Sequence, residues 1–172
     1  MRTKGTGHKG HPVVMGVDNG VSGTVGIIAM DATFNLFFKT PTFMEQNYTK
    51  TKKNISRINV VELKRLLEGH NIVHTMIERP MVNPGRFQAT VSAIRAMEAT
   101  LIVMEALQIP YEYVDSRGWQ KMLLPQGIKG ADLLKKASLD IGKRLFPKWA
   151  VQIQKQKDAD GLLIAEFCRR TR

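Results

Sequence analysis

The sequence predicts an α/β protein built on a mixed five-stranded sheet, a three-stranded antiparallel meander plus two parallel strands, flanked by helices. Three observations predict it. Val13 to Asp18 is a short apolar run with the length and bulk of a strand buried on both faces. Two further strand-like runs follow it across connections too short for a parallel crossover. After them, helical and strand-like periods alternate, which is how right-handed crossovers add parallel strands to a sheet.

The first strand ends in Asp18, followed by Asn19 and Gly20. A carboxylate closing a core strand costs stability unless it is paired, hydrogen-bonded or bound to a metal, so Asp18 is the first functional candidate. Gly23 to Met30 and Thr33 to Lys39 complete the meander across the turn Asp31-Ala32. Thr40 to Ser56 is polar, contains Pro41 and reads as a loop. Asn59 and Glu62 have capping-box spacing, and Val60, Leu63 and Leu67 form the apolar stripe of a short helix ending at Gly69. Ile72 to Glu78 is a fourth strand that also ends in an acid. If it lies beside the first, Asp18 and Glu78 end on adjacent strands, about 4.8 Å apart, the scale on which two carboxylates share a divalent metal.

Met81 to Phe87 contains Pro84-Gly85 and reads as a loop overhanging that edge. Thr90 to Gln108 is a long helix with a stripe of Ile94, Met97, Leu101 and Met104, read as core, with a second subunit as an alternative partner for part of it. Tyr111 to Val114 is the fifth strand, and Asp115 after it has ordinary turn chemistry. A short apolar piece runs from Trp119 to Pro125. A helix from Lys129 to Phe146 follows, with Leu134, Ala137, Ile141 and Leu145 inward and Lys135, Lys136, Lys143 and Arg144 on its other sides. The last helix opens on Lys157-Asp158-Ala159-Asp160-Gly161 and runs to Arg170. Residues two apart on a helix point about 200° apart, so one of the two acids caps while the other reaches inward. Asp160 is assigned to the site because it shares a face with Leu163, Ile164 and Phe167.

At 172 residues and 43% hydrophobic, the chain has enough apolar mass for one core. Residues 1–12 read as a basic flexible arm and 13–172 as a single domain. No apolar run is long enough to cross a bilayer or serve as a signal peptide, so no membrane partner and a cytoplasmic, intracellular setting are expected. The single cysteine, Cys168, is read as a packing residue, and His70 and His74 as structural. With 26 Lys and Arg against 15 Asp and Glu, the net charge of +11 points to a polyanionic partner, nucleic acid first. The cations cluster as Lys50, Lys52, Lys53 and Arg57 in the polar segment and as Arg2, Lys4 and Lys9 in the arm.

The order of elements, with acids closing the first and fourth strands and opening the last helix, is that of the RNase H-like fold. Within it, the chain resembles RuvC-type Holliday-junction resolvases, nearest to their phage and organelle branch. The resemblance rests on Gly16 to Gly20, Ile77 to Pro80, Ser116 to Lys121, Leu145 to Pro147 and Lys157 to Ala165, and spans nearly the whole chain. It implies a homodimeric nuclease that cuts branched, four-way DNA using two Mg2+ or Mn2+ ions per active site.

By position, the resemblance implies that Asp18, Glu78 and Asp160 are metal ligands. The family's further acid or histidine, three or four residues before the last acid, is replaced here by Gln156 and Lys157. Either Asp158 reaches the metal from an irregular helix start, or Lys157 contacts the scissile phosphate. DNA contacts are expected from Lys50, Lys52, Lys53, Arg57, Arg79, Arg117 and Lys121, with Met81 and Phe87 as candidates for an aromatic or apolar wedge. Three alternatives stand beside this reading. One is an RNase H-like nuclease for other branched DNA or RNA-DNA hybrids, and another is a junction-binding protein without catalysis. The third is an actin-like kinase, prompted by Asp18 to Thr24 but lacking a second lobe.

Overall fold

The computed structural model describes residues 10–48, 50 and 52–172. Arg2, Lys4 and Lys9 of the expected arm lie outside those residues, and Pro12 is already the first residue of a strand. The meander consists of β1 (Pro12–Val17), β2 (Thr24–Ala29) and β3 (Asn35–Lys39). After α1 (Val60–Leu67), strand β6 (Asn71–Glu78) returns parallel to β1. After α2 (Phe87–Ala106), β7 (Tyr111–Val114) lies parallel to β6, giving the sheet order β3-β2-β1-β6-β7.

Alternate residues of β1 divide the core. Val13, Met15 and Val17 face Leu63, Leu67, Met97 and Met104 of α1 and α2. Val14, on the opposite face, joins a cluster with Trp119, Ile153 and the run Leu162 to Ala165. Those residues belong to α3 (Ser116–Leu123), α5 (Ala150–Gln156) and α6 (Asp160–Thr171); α4 (Ala131–Leu145) adds Ile141. Burial on both faces is why β1 reads as an unbroken apolar run.

Helix α6 lies almost on the sheet backbone. A Cβ built at Gly16 runs into Ala165 N, and one at Gly26 sits 2.6 Å from both Gly161 O and Leu162 Cα, so only glycine permits this approach. The close contact brings the start of α6 against the ends of β1 and β2.

Several expectations are corrected. Thr40 to Ser56 is no simple loop: β4 (Thr42–Gln46) and β5 (Asn54–Ile58) form a separate antiparallel hairpin, with Thr42 opposite Ile58. Every residue of β4 is exposed, so no inward stripe marks it as a strand. The piece beginning at Trp119 lies within α3, and α5 intervenes before the last helix. Leu145 is 38% exposed rather than inward, because Phe146 takes the buried position at that helix end. Val60 and Ile94 are likewise exposed members of their stripes. Asn59 caps α1 as expected, its Oδ1 accepting from Glu62 N at 3.1 Å.

Candidate active site

The register pairs Val17 with Ile77, so Asp18 and Glu78 leave adjacent parallel strands side by side. Asp18 N donates to Thr24 O at 3.0 Å, turning the chain between β1 and β2. On the far side, α5 ends at Lys157, whose left-handed backbone (φ 53°) turns the chain into Asp158. Asp158 therefore precedes α6, and the 200° separation expected of two helical acids does not apply. Both Asp158 and Asp160 face Asp18, and one oxygen from each of the three lies within 4.8 Å of the other two. Glu78 stands just outside that trio.

Each carboxylate but Asp18 is held by a donor from a different element. The indole N–H of Trp119 in α3 donates to Glu78 Oε2 at 2.7 Å. The Ser138 hydroxyl in α4 donates to Asp160 Oδ1 in a short contact. Asp158 Oδ1 accepts from Asp160 N at 2.7 Å and from the Thr24 hydroxyl at 3.2 Å, and that hydroxyl also accepts from Gly161 N. Sequence reasoning passed over all three donors. Ser138 alone left a signal, as a polar residue beside the inward positions Leu134, Ala137 and Ile141.

Burial holds the Asp18 carboxyl well above the usual carboxylate range, and the charges of Asp158, Asp160 and Glu78 push it further. Burial raises Glu78 to about 7 against the opposing pull of the Trp119 hydrogen bond. Asp160 is raised by burial and by Asp158, with Ser138 opposing. Three converging hard oxygen donors with mutually unfavourable charge fit a divalent cation, which relieves the repulsion that raises those carboxyls.

Beside Glu78 opens a cleft of about 900 Å³ lined by Asn19, Arg79, Met81, Arg86, Tyr113 and Arg117, among others. Asn19 ties it to α2 by donating to Ala93 O at 3.1 Å. Arg79 pairs with Asp115 at 3.6 Å and lies over the Tyr113 ring. Arg86 and Tyr113 were not singled out from the sequence, and nothing in their spacing marked them. Phe87 begins α2, is 67% exposed and does not line the cleft. Lys121 is exposed on α3 and lines a smaller neighbouring depression with Arg117. Lys50, Lys52 and Lys53 lie exposed at the tip of the β4–β5 hairpin, whereas Arg57 is partnered by Glu45 and the Phe43 ring. Lys157 is exposed beside the trio.

No family model and no curated protein matches the chain. Solved structures do. RuvC from Thermus thermophilus, in complex with Holliday junction substrate, matches with a TM-score of 0.60 at 13% identity, over 94% of this chain and 97% of that one. A second Thermus thermophilus RuvC structure matches with a TM-score of 0.53 at 13% identity, over 92% and 96%. This chain has a RuvC-type fold. No helix among the described residues is long and apolar enough to cross a membrane.

Proposed function

We propose that the chain is a structure-selective endonuclease that resolves four-way DNA junctions by metal-dependent phosphodiester hydrolysis. A homodimer places one symmetric nick per active site. The observation that carries this reading is the convergence of Asp18, Asp158 and Asp160 at the edge where Glu78 ends β6, within a RuvC-type fold. The sequence motifs around Asp18, Glu78 and Asp160 favour its phage and organelle branch, acting inside the cell.

Asp18, Asp158, Asp160 and Glu78 hold two magnesium or manganese ions in this reading. Bound there, such ions would supply charge neutralisation at the phosphodiester and a water of lowered pKa. Trp119, Ser138 and Thr24 keep the carboxylates aimed before any ion arrives. Arg79 and Arg117 in the cleft hold backbone phosphates close to Glu78, with Lys121 beside them. Lys50, Lys52, Lys53 and Arg57 track a duplex arm, and Lys157 approaches the scissile phosphate. Met81, 80% exposed on the cleft wall, and Phe87 offer apolar surface to an opened crossover.

The test is cleavage of a labelled synthetic four-way junction beside linear duplex, flap and RNA-DNA hybrid, with magnesium, manganese or EDTA. Paired nicks placed symmetrically across the junction in either metal are expected. Cutting confined to another substrate, or tight junction binding without cutting, overturns the proposal.

A further inference from the structure

Helix α4 brings a cation to the acid trio as well as the Ser138 hydroxyl. One turn before Ser138, Lys135 Nζ lies 3.9 Å from Asp158 Oδ2. The oxygen it meets matters. Asp158 Oδ1 accepts from Asp160 N and the Thr24 hydroxyl, while the ammonium approaches the other oxygen, Oδ2. The Asp158 carboxylate thus faces both Lys135 and the oxygens of Asp18 and Asp160.

The Lys135 side chain is 46% exposed, whereas that of Asp158 is 8% exposed. The carboxylate is fixed, and the ammonium stands at the boundary with water on a flexible four-carbon stem that lets it leave without disturbing α4. Its charge is also felt by Glu78 and Asp160. Lys136, the next residue, lines a separate depression of about 340 Å³ with Pro125, Ile128 and Arg144. Adjacent lysines of one helix thus serve different surfaces.

We infer that Lys135 is a tethered counter-ion of the acid trio, which yields the Asp158 carboxylate to a divalent cation and then takes the phosphodiester delivered to the site. This rests on the nuclease reading above. Two opposite consequences follow for one residue. Removing the charge frees an oxygen and tightens metal binding, while it also removes a donor from the transferring phosphate and slows cleavage. A lysine that merely stabilises the fold produces neither the tightening nor the opposition.

The experiment is calorimetric titration of Mn2+ alone into the wild-type chain and its Lys135→Gln, Lys135→Arg and Lys136→Gln variants at fixed ionic strength. Single-turnover cleavage of a pre-bound four-way junction accompanies it. Lys135→Gln is expected to bind Mn2+ about two- to fivefold more tightly, the scale of a half-exposed ion pair, and to cleave roughly tenfold or more slowly. Lys135→Arg should restore both, and Lys136→Gln should change neither by as much as twofold. Equal or weaker Mn2+ binding by Lys135→Gln overturns the counter-ion, and an unchanged cleavage rate overturns the phosphate contact. A wild-type chain that binds no Mn2+ overturns the nuclease reading itself, a result distinct from either.

Discussion

The indole N–H of Trp119 donates to Glu78 Oε2 across 2.7 Å, joining the most buried large side chain of α3 to the acid that ends β6. Two opposing effects meet in that bond. Burial drives Glu78 toward its protonated form, and the indole, which can only donate, favours the ionised one. Burial prevails, leaving Glu78 at about 7.

A carboxyl raised from 4.5 to about 7 on folding contributes stability that is complete below the unfolded value. That contribution is lost as pH rises through the folded value. Without metal, wild-type protein should therefore lose stability between pH 5 and pH 8 that Glu78→Gln retains. At 1.36 kcal/mol per pKa unit, the difference is about 3 kcal/mol, or roughly 6–12 °C in thermal midpoint for a chain of this size. Thermal melts in EDTA at the two pH values measure it, and parallel pH dependences in the two proteins refute it.

Trp119→Phe keeps most of the buried ring and removes the donor. Glu78 then loses the one hydrogen bond that favours its ionised form and should titrate about one pH unit higher. The alkaline shift should appear in the pH dependence of Mn2+ binding as well as in the cleavage rate. A midpoint that stays in place shows the bond to be structural only.

Asp18→Asn and Asp160→Asn each remove one of three converging oxygens' charges while preserving shape. Cleavage should fall on the order of a thousandfold or more in each. Junction affinity measured in Ca2+ or EDTA should stay within a few-fold of wild type. Retained activity in either variant removes that residue from the site.

Lys52 and Lys53 test the electrostatic footprint away from the acids. Each phosphate contact contributes about 0.9 to the slope of log affinity against log salt on duplex DNA. Reversing both charges should weaken junction binding and flatten the slope by roughly 2. An unchanged slope places the hairpin tip outside the DNA path.

How far the sequence could be read follows from where each signal resides. The site's acids were legible because a carboxylate at the end of a buried strand is costly: Asp18 and Glu78 stand out against Val17 and Ile77. The crossover rule made the fourth strand parallel to a strand of the meander, and the structure sets that neighbour as β1. The β4–β5 hairpin was not legible, because Thr42 to Gln46 buries nothing and so carries no period-two pattern. Asp158 was left open between a cap and a ligand reaching in from an irregular helix start, for a local reason. Lys157 adopts a left-handed backbone that ends one helix and leaves Asp158 outside the next, and a lysine gives no hint of that conformation. The donors Trp119, Ser138 and Thr24 act across 41, 22 and 134 residues; spacing marks Ser138 as inward, but separations of that kind leave no local imprint of the partner.

The trio also depends on residues without side chains. Gly26 belongs to β2, yet its role is to admit the first turn of α6, which carries Asp160. A methyl group there meets Gly161 O and Leu162 Cα at 2.6 Å, and backbone atoms cannot rotate away as a side chain can. Gly26→Ala must therefore push α6 off the sheet, opening the packing of Leu162 to Ala165 and drawing Asp160 away from Asp18. The expected cost is about 3 kcal/mol or more, with Mn2+ affinity falling in whatever fraction stays folded. Gly118→Ala is the control. Its nearest neighbour is a Val114 methyl at 3.8 Å, and Gly118 lies within α3, so alanine there should stabilise by about 0.5–1 kcal/mol. Chemical denaturation of both variants decides the matter, since a Gly26→Ala protein as stable as wild type means that α6 does not need this close approach to bring Asp160 to Asp18.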